Sequence, residues 1–121
     1  MLFLFFLLFT KHFIVDFILQ PAYEYLNKGK YGHPGGVIHA AKHGLVTWLI
    51  LAWASPCSYE LATALAFMDY FLHYHIDYAK VNITGAFNFN ARTTQFWWFL
   101  GLDQYLHYLT YLAIVWLSFS F

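Results

Sequence analysis

The chain has 121 residues, of which 61% are hydrophobic, 24% aromatic and only 10% charged, and its formal net charge is zero. This composition is too apolar for an ordinary soluble domain and offers no basic surface for nucleic acid, so we expect neither class. Because Cys57 is the one cysteine, a disulfide framework and a cysteine-based zinc knuckle are also excluded. The composition predicts a protein that lies in the lipid bilayer.

Four apolar segments are each long enough to cross a membrane, which takes about 20 residues. The first covers residues 2–19 and is expected to end before Pro21, since proline lacks an amide donor. It has neither a basic start nor a small-residue cleavage site, so we predict a retained helix and not a signal peptide. The other three cover residues 37–54, 59–80 and 94–118. We therefore predict an all-α membrane protein, a four-transmembrane-helix bundle that forms a single domain over residues 1–121.

The basic residues near the loops predict the orientation of this bundle. The first loop, residues 22–36, and the third, residues 82–93, contain or adjoin Lys28, Lys30, Lys80 and Arg92. The loop between the second and third helices has no basic residue. Since cytoplasmic loops carry an excess of lysine and arginine, we expect the first and third loops in the cytoplasm, and the second loop and both termini on the outer side.

Each predicted helix carries two ionisable residues spaced one turn apart. The pairs are His12 with Asp16, His39 with His43, Asp69 with His73, and Asp103 with His107. Residues at i and i+4 share one helix face, and at about 1.5 Å per residue all eight lie in the cytoplasmic half of the bundle or near its midplane. Asp77 extends the stripe on the third helix by one turn, whereas His75 points elsewhere. We predict that the eight paired residues converge on one intramembrane His/Asp site.

The charge of this cluster points to a metal. A central aspartate costs about 2.5 to 3.5 kcal/mol on insertion, and the buried cations Lys11 and Lys42 are too few to compensate four of them. Imidazole and carboxylate ligands together suit a divalent metal, with zinc preferred and iron or manganese as alternatives. Eight candidate ligands exceed the four of a structural zinc site, so one or two ions are expected. A metal-free hydrogen-bond network of aspartates and histidines is the competing interpretation.

Two further residues are candidates for a catalytic role. Asp77 lies one turn closer to the cytoplasm than His73 and could accept the proton of a metal-bound water. Lys42 is next to His43 and could contact a substrate phosphate or carboxylate. A lysine near a membrane end more often extends its charge to the headgroups, which is the alternative for Lys42.

Four stretches in this order resemble a known family. They are His12-x-x-x-Asp16-Phe17-x-Leu19-Gln20, His39-x-x-x-His43, Asp69-x-x-x-His73-x-x-x-Asp77-x-x-Lys80 and Gly101-x-Asp103-Gln104-x-x-His107-x-x-Thr110-Tyr111. Together they resemble domain-of-unknown-function family 3307, a group of small bacterial and phage membrane proteins, over nearly the whole chain. The resemblance implies a multi-pass protein of the bacterial inner membrane, and it implies no activity.

A looser similarity is to the YdjM-like membrane-bound metal-dependent hydrolases, which implies a hydrolase by analogy. The first hypothesis is therefore a metal-dependent membrane hydrolase that acts on a lipid-linked or amphipathic phosphate or ester substrate from the cytoplasmic side. The second is a di-iron membrane oxidoreductase. The third is a divalent metal transporter, in which the bundle forms a homo-oligomer, or a structural membrane protein stabilised by a metal.

Overall fold

The computed structural model describes all 121 residues, Met1–Phe121, and its regular structure is entirely helical. The elements are α1 (Leu2–Phe13), a π-helical continuation (Ile14–Ile18), α2 (Ala22–Tyr25), α3 (Pro34–Ala54), α4 (Tyr59–Ala86) and α5 (Thr94–Ser120). The prediction of an all-α fold is confirmed.

The first helix widens before it ends. From Ile14 onward the chain is π-helical, and the N–H of Leu19 donates to the carbonyl of Ile14 at 2.8 Å, five residues earlier. The segment ends at Ile18, before the helix-breaking Pro21. π-Helical turns are rare in proteins, and those that occur are often found at functional sites. Here the wide turn contains Asp16, a candidate site residue.

The connection between α1 and α3 is more ordered than the predicted loop. Pro21 caps the short helix α2, which buries Glu24. Helix α3 begins at Pro34, three residues earlier than predicted, because proline suits the first helical position. The His33 ring accepts a hydrogen bond from the N–H of Gly35 at 3.0 Å and so satisfies one free donor of the first turn.

Helix α4 continues six residues beyond its predicted end at Lys80 and stops at Ala86. The side chains of Asn82 and Thr84 donate to backbone carbonyls four residues earlier, which leaves the helical backbone intact. The helix ends just before Asn88, whose φ of 55° lies in the left-handed region that asparagine tolerates. The polar composition after Lys80 therefore reflects a solvated helix end and not a loop.

The four long helices form a closed ring in which α1 packs on α3 and α5, and α4 packs on the same two helices. One end of the interior is apolar and is formed by Leu4, Leu8, Leu51, Ala62, Leu65, Tyr111, Ile114 and Val115. The other end contains the buried ionisable residues, which come from the end of α1 and its π-helical continuation, the first half of α3, the middle and second half of α4, and the middle of α5. This end adjoins the first connection, between α1 and α3, and the third connection, between α4 and α5.

Helices α3 and α4 approach closely at Gly44. A Cβ atom at this position would lie 3.0 Å from Cβ of Tyr70 and 3.1 Å from the carbonyl oxygen of Ala66, both on α4. We expect Gly44→Leu to lower the free energy of unfolding by about 1 to 3 kcal/mol, since the helices must separate. Gly101→Leu is the control, because nothing lies within 4 Å of a Cβ there. Denaturant unfolding of the purified variants measures both, and equal stabilities would contradict this packing.

By length and composition, α3 alone is long and apolar enough to cross a membrane. Helix α1 has 12 residues before its hydrogen-bonding pattern changes. Helices α4 and α5 have 28 and 27 residues, but polar side chains lower their average hydropathy. These include the buried Asp69, Asp77 and Asp103. Of the four membrane-spanning helices expected from the sequence, length and composition therefore support one, α3.

Candidate metal centre

Three histidine rings surround one carboxylate oxygen in the polar end of the bundle. Oδ1 of Asp16 lies 2.7 Å from Nε2 of His43 and 3.1 Å from Nε2 of His39. Nε2 of His73 lies 3.4 Å from the same oxygen and 3.2 Å from Nε2 of His39. The π-helical turn, α3 and α4 therefore bring four of the predicted site residues together.

Asp77 joins this group from α4. Its Oδ2 atom lies 3.3 Å from Nε2 of His39 and 3.4 Å from Nε2 of His73. Its Oδ1 atom lies 3.3 Å from Nε2 of His107 on α5. We define the central cluster as Asp16, His39, His43, His73 and Asp77. The sequence predicted Asp77 one helical turn away from the eight paired residues, whereas the structure includes it in the central cluster.

The central cluster is almost completely shielded from solvent. Its most exposed member is Asp16, at 8%, and His43 and His73 are fully buried. Nδ1 of His73 and Oδ1 of Asp103 have no hydrogen-bond partner. Buried polar atoms without partners are uncommon in folded proteins, and here they lie in or beside a concentration of metal-ligating groups.

Three groups of side chains could each hold a metal ion, with ligand atoms that all lie within 4.8 Å of one another. They are His12, Asp16, His43 and His73; His39, His73 and Asp77; and Asp77, Asp103 and His107. In the second group the three separations are 3.2, 3.3 and 3.4 Å. Ligands at 2.0 to 2.1 Å from a tetrahedral zinc ion lie about 3.3 Å apart, so this triangle has the size that zinc requires.

Neighbouring side chains orient two of the histidines. Nδ1 of His39 lies 3.3 Å from a carboxylate oxygen of Glu24, and a proton on Nδ1 would leave the Nε2 lone pair for a metal ion. His43 has the opposite arrangement, because the ammonium group of Lys11 donates to its Nδ1 at 3.1 Å. The Nε2–H of His43 then donates to Asp16. Glu24 thus orients His39 as a candidate ligand, whereas His43 is a hydrogen-bond donor to Asp16.

His12 lies at the edge of the cluster. Its Nε2 atom is 3.4 Å from Oδ2 of Asp16 and 2.9 Å from the side-chain oxygen of Gln104. Its Nδ1 atom lies 3.1 Å from the hydroxyl of Tyr111. Both ring nitrogens therefore have protein partners, so a metal bond to His12 would require one of them to be displaced.

Asp103 and His107 form the outer part of the site on α5. Nε2 of His107 lies 3.6 Å from Oδ1 of Asp103 and 3.3 Å from Asp77. The other oxygen of Asp103 accepts a hydrogen bond from Gln104 at 3.0 Å. The predicted pair of Asp103 and His107 therefore contacts the central cluster through the contact between His107 and Asp77.

Asp69 lies outside all three metal-ligating groups. Its Oδ2 atom accepts hydrogen bonds from the ammonium group of Lys11 at 2.7 Å and from the hydroxyl of Thr47 at 2.5 Å. The i, i+4 spacing does place Asp69 on the inner face of α4. Lys11 reaches it from α1, however, and compensates its charge directly.

Lys42 contacts the first connection and not the central cluster. Its ammonium group lies 2.7 Å from Glu24 and donates to the carbonyl of Leu19. About 31% of its side chain is exposed. Lys42 therefore supports Glu24, which in turn contacts His39.

Lys28 supplies a third cation, which the sequence patterns did not indicate. Its ammonium group lies 3.0 Å from Oδ2 of Asp77. Burial lowers the pKa of Lys28, but the carboxylates of Asp77 and Asp16 raise it by more, so the net shift is upward and the lysine stays protonated. Lys28 thus compensates Asp77 from the first connection.

The buried charges do not balance. Five of the six acidic residues are buried, and three of these pair with lysines: Lys11 with Asp69, Lys28 with Asp77 and Lys42 with Glu24. Asp16 and Asp103 have no lysine partner. With neutral histidines, five negative and three positive charges leave two negative charges. One divalent cation, or two protonated histidines, would neutralise the site.

The fold and the site define a helical bundle whose buried histidine and aspartate groups could hold a metal ion. The chain belongs to the family described as "Protein of unknown function (DUF3307)", which it matches over residues 4–121. The resemblance to family 3307 is therefore confirmed, whereas the similarity to YdjM-like hydrolases is not shown. No curated protein and no solved structure matches the chain.

Proposed function

We propose that the protein is a membrane-embedded metal-dependent hydrolase with one divalent ion, zinc by preference, held by His39, His73 and Asp77. The observation that carries the proposal is the triangle of ligand atoms with separations of 3.2 to 3.4 Å beside an uncompensated Asp16. Two histidines and one carboxylate form a ligand set of catalytic zinc sites, which keep a further position for water.

The outer surface supports a location in the membrane. The structure exposes 34 large hydrophobic side chains, and Phe6, Phe17, Trp53, Trp98 and Trp116 are each more than 60% exposed. Soluble monomers rarely expose contiguous apolar patches larger than a few hundred square ångströms. Polar groups buried inside and apolar groups outside are the arrangement that a lipid solvent favours. We therefore propose a multi-pass bundle in the bacterial inner membrane.

The orientation can be tested with the native cysteine. If the connection between α3 and α4 faces the outer side, a membrane-impermeant maleimide should label Cys57 in intact spheroplasts. Lys30→Cys in a Cys57→Ser background is the matched control, because Lys30 is exposed on the first connection and should react only after permeabilisation. The opposite labelling pattern would reverse the proposed orientation.

A bound divalent ion would supply a water of lowered pKa and would polarise the phosphoryl or acyl group to be cleaved. The protein must then accept the proton of that water. Both oxygens of Asp77 are engaged, by Lys28 and by histidines. Asp16 lies beside the ligand triangle, has no lysine partner and is held by His43. We therefore assign the proton acceptor to Asp16, and we assign Asp77 to the metal.

Two asparagine substitutions separate these roles. We expect Asp77→Asn to lose most of the bound metal, since it removes a charged ligand. Asp16→Asn should retain the metal, because its amide oxygen can still accept from His43, but should lower hydrolysis about 10²- to 10⁴-fold, since an amide cannot take the proton. Elemental analysis and turnover of an alkyl phosphate and an alkyl ester measure both. Metal retention in Asp77→Asn together with full activity in Asp16→Asn would overturn the assignment.

The hydrolase class itself is tested by adding zinc to the purified, chelator-treated protein. We expect cleavage of an amphipathic phosphate or ester that appears with zinc and disappears with chelator. Turnover that is absent from protein shown to contain zinc, across both bond types, would contradict a hydrolase.

One observation favours a second candidate, a di-iron oxidoreductase. The two oxygens of Asp77 face different groups, His39 and His73 on one side and His107 on the other, as the oxygens of a bridging carboxylate would. Two histidines and a carboxylate also suit iron(II). Two iron ions per chain and visible absorption would favour this candidate over the single zinc ion.

A further inference from the structure

A groove of about 270 Å³ runs between α4 and α5 on the outside of the bundle. Along α4 it extends from Leu72 to Ile83, which is about 16 Å at 1.5 Å per residue. Its walls are largely apolar, and the rim residues Leu102 and Leu106 are 48% and 37% exposed. In the proposed membrane location the groove opens toward lipid.

Two charged residues line this apolar groove. Lys80 is the only lysine on its wall. Lys11, Lys28 and Lys42 each form an ion pair, whereas Lys80 forms none. Asp103 is only 4% exposed, and its buried Oδ1 atom lies 3.6 Å from Nε2 of His107 on the inner side. The groove therefore offers a ligand one lysine without an ion-pair partner and a hydrophobic surface.

The groove lies next to the candidate metal centre. Lys80 follows Asp77 by three residues on α4, which is a rise of about 4.5 Å along the helix axis. Asp103 belongs to the group that it forms with Asp77 and His107. A polar head bound at Lys80 would thus lie near Asp77, one of the ligands assigned to the ion.

We propose that the groove between α4 and α5 binds the substrate of the proposed hydrolase, a single-chain amphiphile with a terminal phosphate, with its chain along α4 and α5 and its phosphate at Lys80. This inference rests on the proposed function and names its substrate class. The phosphate charge pairs with the ammonium group of Lys80, which has no other ion-pair partner. The apolar walls take the hydrocarbon chain.

Charge favours this occupant over an ordinary zwitterionic lipid. A choline headgroup has its own cation and does not need Lys80, whereas one lysine near the membrane surface attracts an anionic headgroup by about 1 kcal/mol. A cavity of about 310 Å³ between α3 and α4 contains no cation, and neither does the largest one, of about 360 Å³ between α1 and α5. Its polar residues His12 and Gln104 already bond to each other. We therefore place the phosphate in the α4–α5 groove.

Photolabelling tests the proposal without requiring activity. Dodecyl phosphate and dodecanol, each with a diazirine in the chain, are crosslinked to the purified protein in an uncharged detergent, and the adducts are mapped by mass spectrometry. We expect the phosphate probe to label α4 and α5 around Ile76, Ile83 and Leu106. Lys80→Gln should reduce this labelling about fivefold, the effect of about 1 kcal/mol. Lys30→Gln, on the exposed first connection, should leave it unchanged.

Three results would overturn the proposal. The first is labelling that is confined to other helices, and the second is equal labelling by the alcohol and the phosphate probes. The third is inorganic phosphate competing with the probe as strongly as unlabelled dodecyl phosphate does. Zinc content is measured in the same samples. A metal-free protein that still shows Lys80-dependent labelling would contradict the hydrolase and leave the groove assignment intact, so the two failures can be distinguished.

Discussion

Replacing His73 by alanine should remove the bound metal and lower the Tm. The Nε2 atom of His73 lies within 3.4 Å of Asp16, His39 and Asp77, and His73 is the one residue shared by the first two metal-ligating groups. A ligand present at 1,000 times its Kd stabilises the folded state by about 4 kcal/mol, and this stabilisation disappears with the ion. Thermal unfolding and elemental analysis of the variant measure the two effects.

His75→Ala is the matched control, because it removes the same chemical group from the same helix. His75 faces away from the site, where its ring contacts the hydroxyl of Tyr31 and the carbonyl of Phe71. We expect this variant to retain the metal. Chelation of the unmodified protein should reproduce the Tm shift of His73→Ala. A His73→Ala protein with full metal content would contradict the ligand assignment.

Replacing Lys11 by methionine should destabilise the protein strongly and leave the metal ligands in place. Lys11 is 4% exposed and lies 2.7 Å from Asp69, itself 1% exposed. Removal of one partner of a buried ion pair typically costs about 3 to 5 kcal/mol, because the remaining charge is left uncompensated. Denaturant unfolding measures this loss.

A double substitution separates the charge effect from packing. Asp69→Asn together with Lys11→Met removes both charges, so we expect it to be more stable than Lys11→Met alone. Asp69→Asn alone should keep its metal, since Asp69 lies outside the three ligand groups. If Asp69→Asn instead loses the metal, Asp69 is a ligand after all, as its spacing from His73 suggests.

The sequence was most informative about which residues face inward. Polar residues at i and i+4 must share a helix face, and in an apolar chain a face of ionisable residues is expected to turn inward. This reasoning places His39, His43 and His73 in the interior, where the structure has them. The all-helical fold and the membership of family 3307 follow from the same sequence features and are confirmed.

The charge partners could not be predicted in the same way. The Lys11–Asp69 and Lys28–Asp77 pairs join residues 58 and 49 positions apart, and no local spacing indicates such contacts. The sequence does not indicate Glu24 as a site residue, because its segment is polar and has the composition of a loop. Its position three residues after Pro21, which caps α2, is the signal that could have indicated a buried helical turn.

The sequence also could not distinguish the roles of Asp16 and Asp77 within the cluster. Asp16 and Asp77 have the same spacing from a histidine, four residues, in the sequence. Only the structure shows that Lys28 reaches Asp77 while Asp16 has no cation. The π-helical turn at Ile14–Ile18, which contains Asp16, has no sequence signature that we could use.

The most direct test of the account is the number of metal ions bound per chain. The charges of Asp16 and Asp103, which have no lysine partner, and the ligand triangle of His39, His73 and Asp77 predict one divalent ion in the purified protein, with a Tm that falls on chelation and recovers with zinc. Protein purified without chelator that contains no metal, takes up none from added zinc and has the same Tm with and without chelator would contradict the account. Two protonated histidines would then neutralise the site.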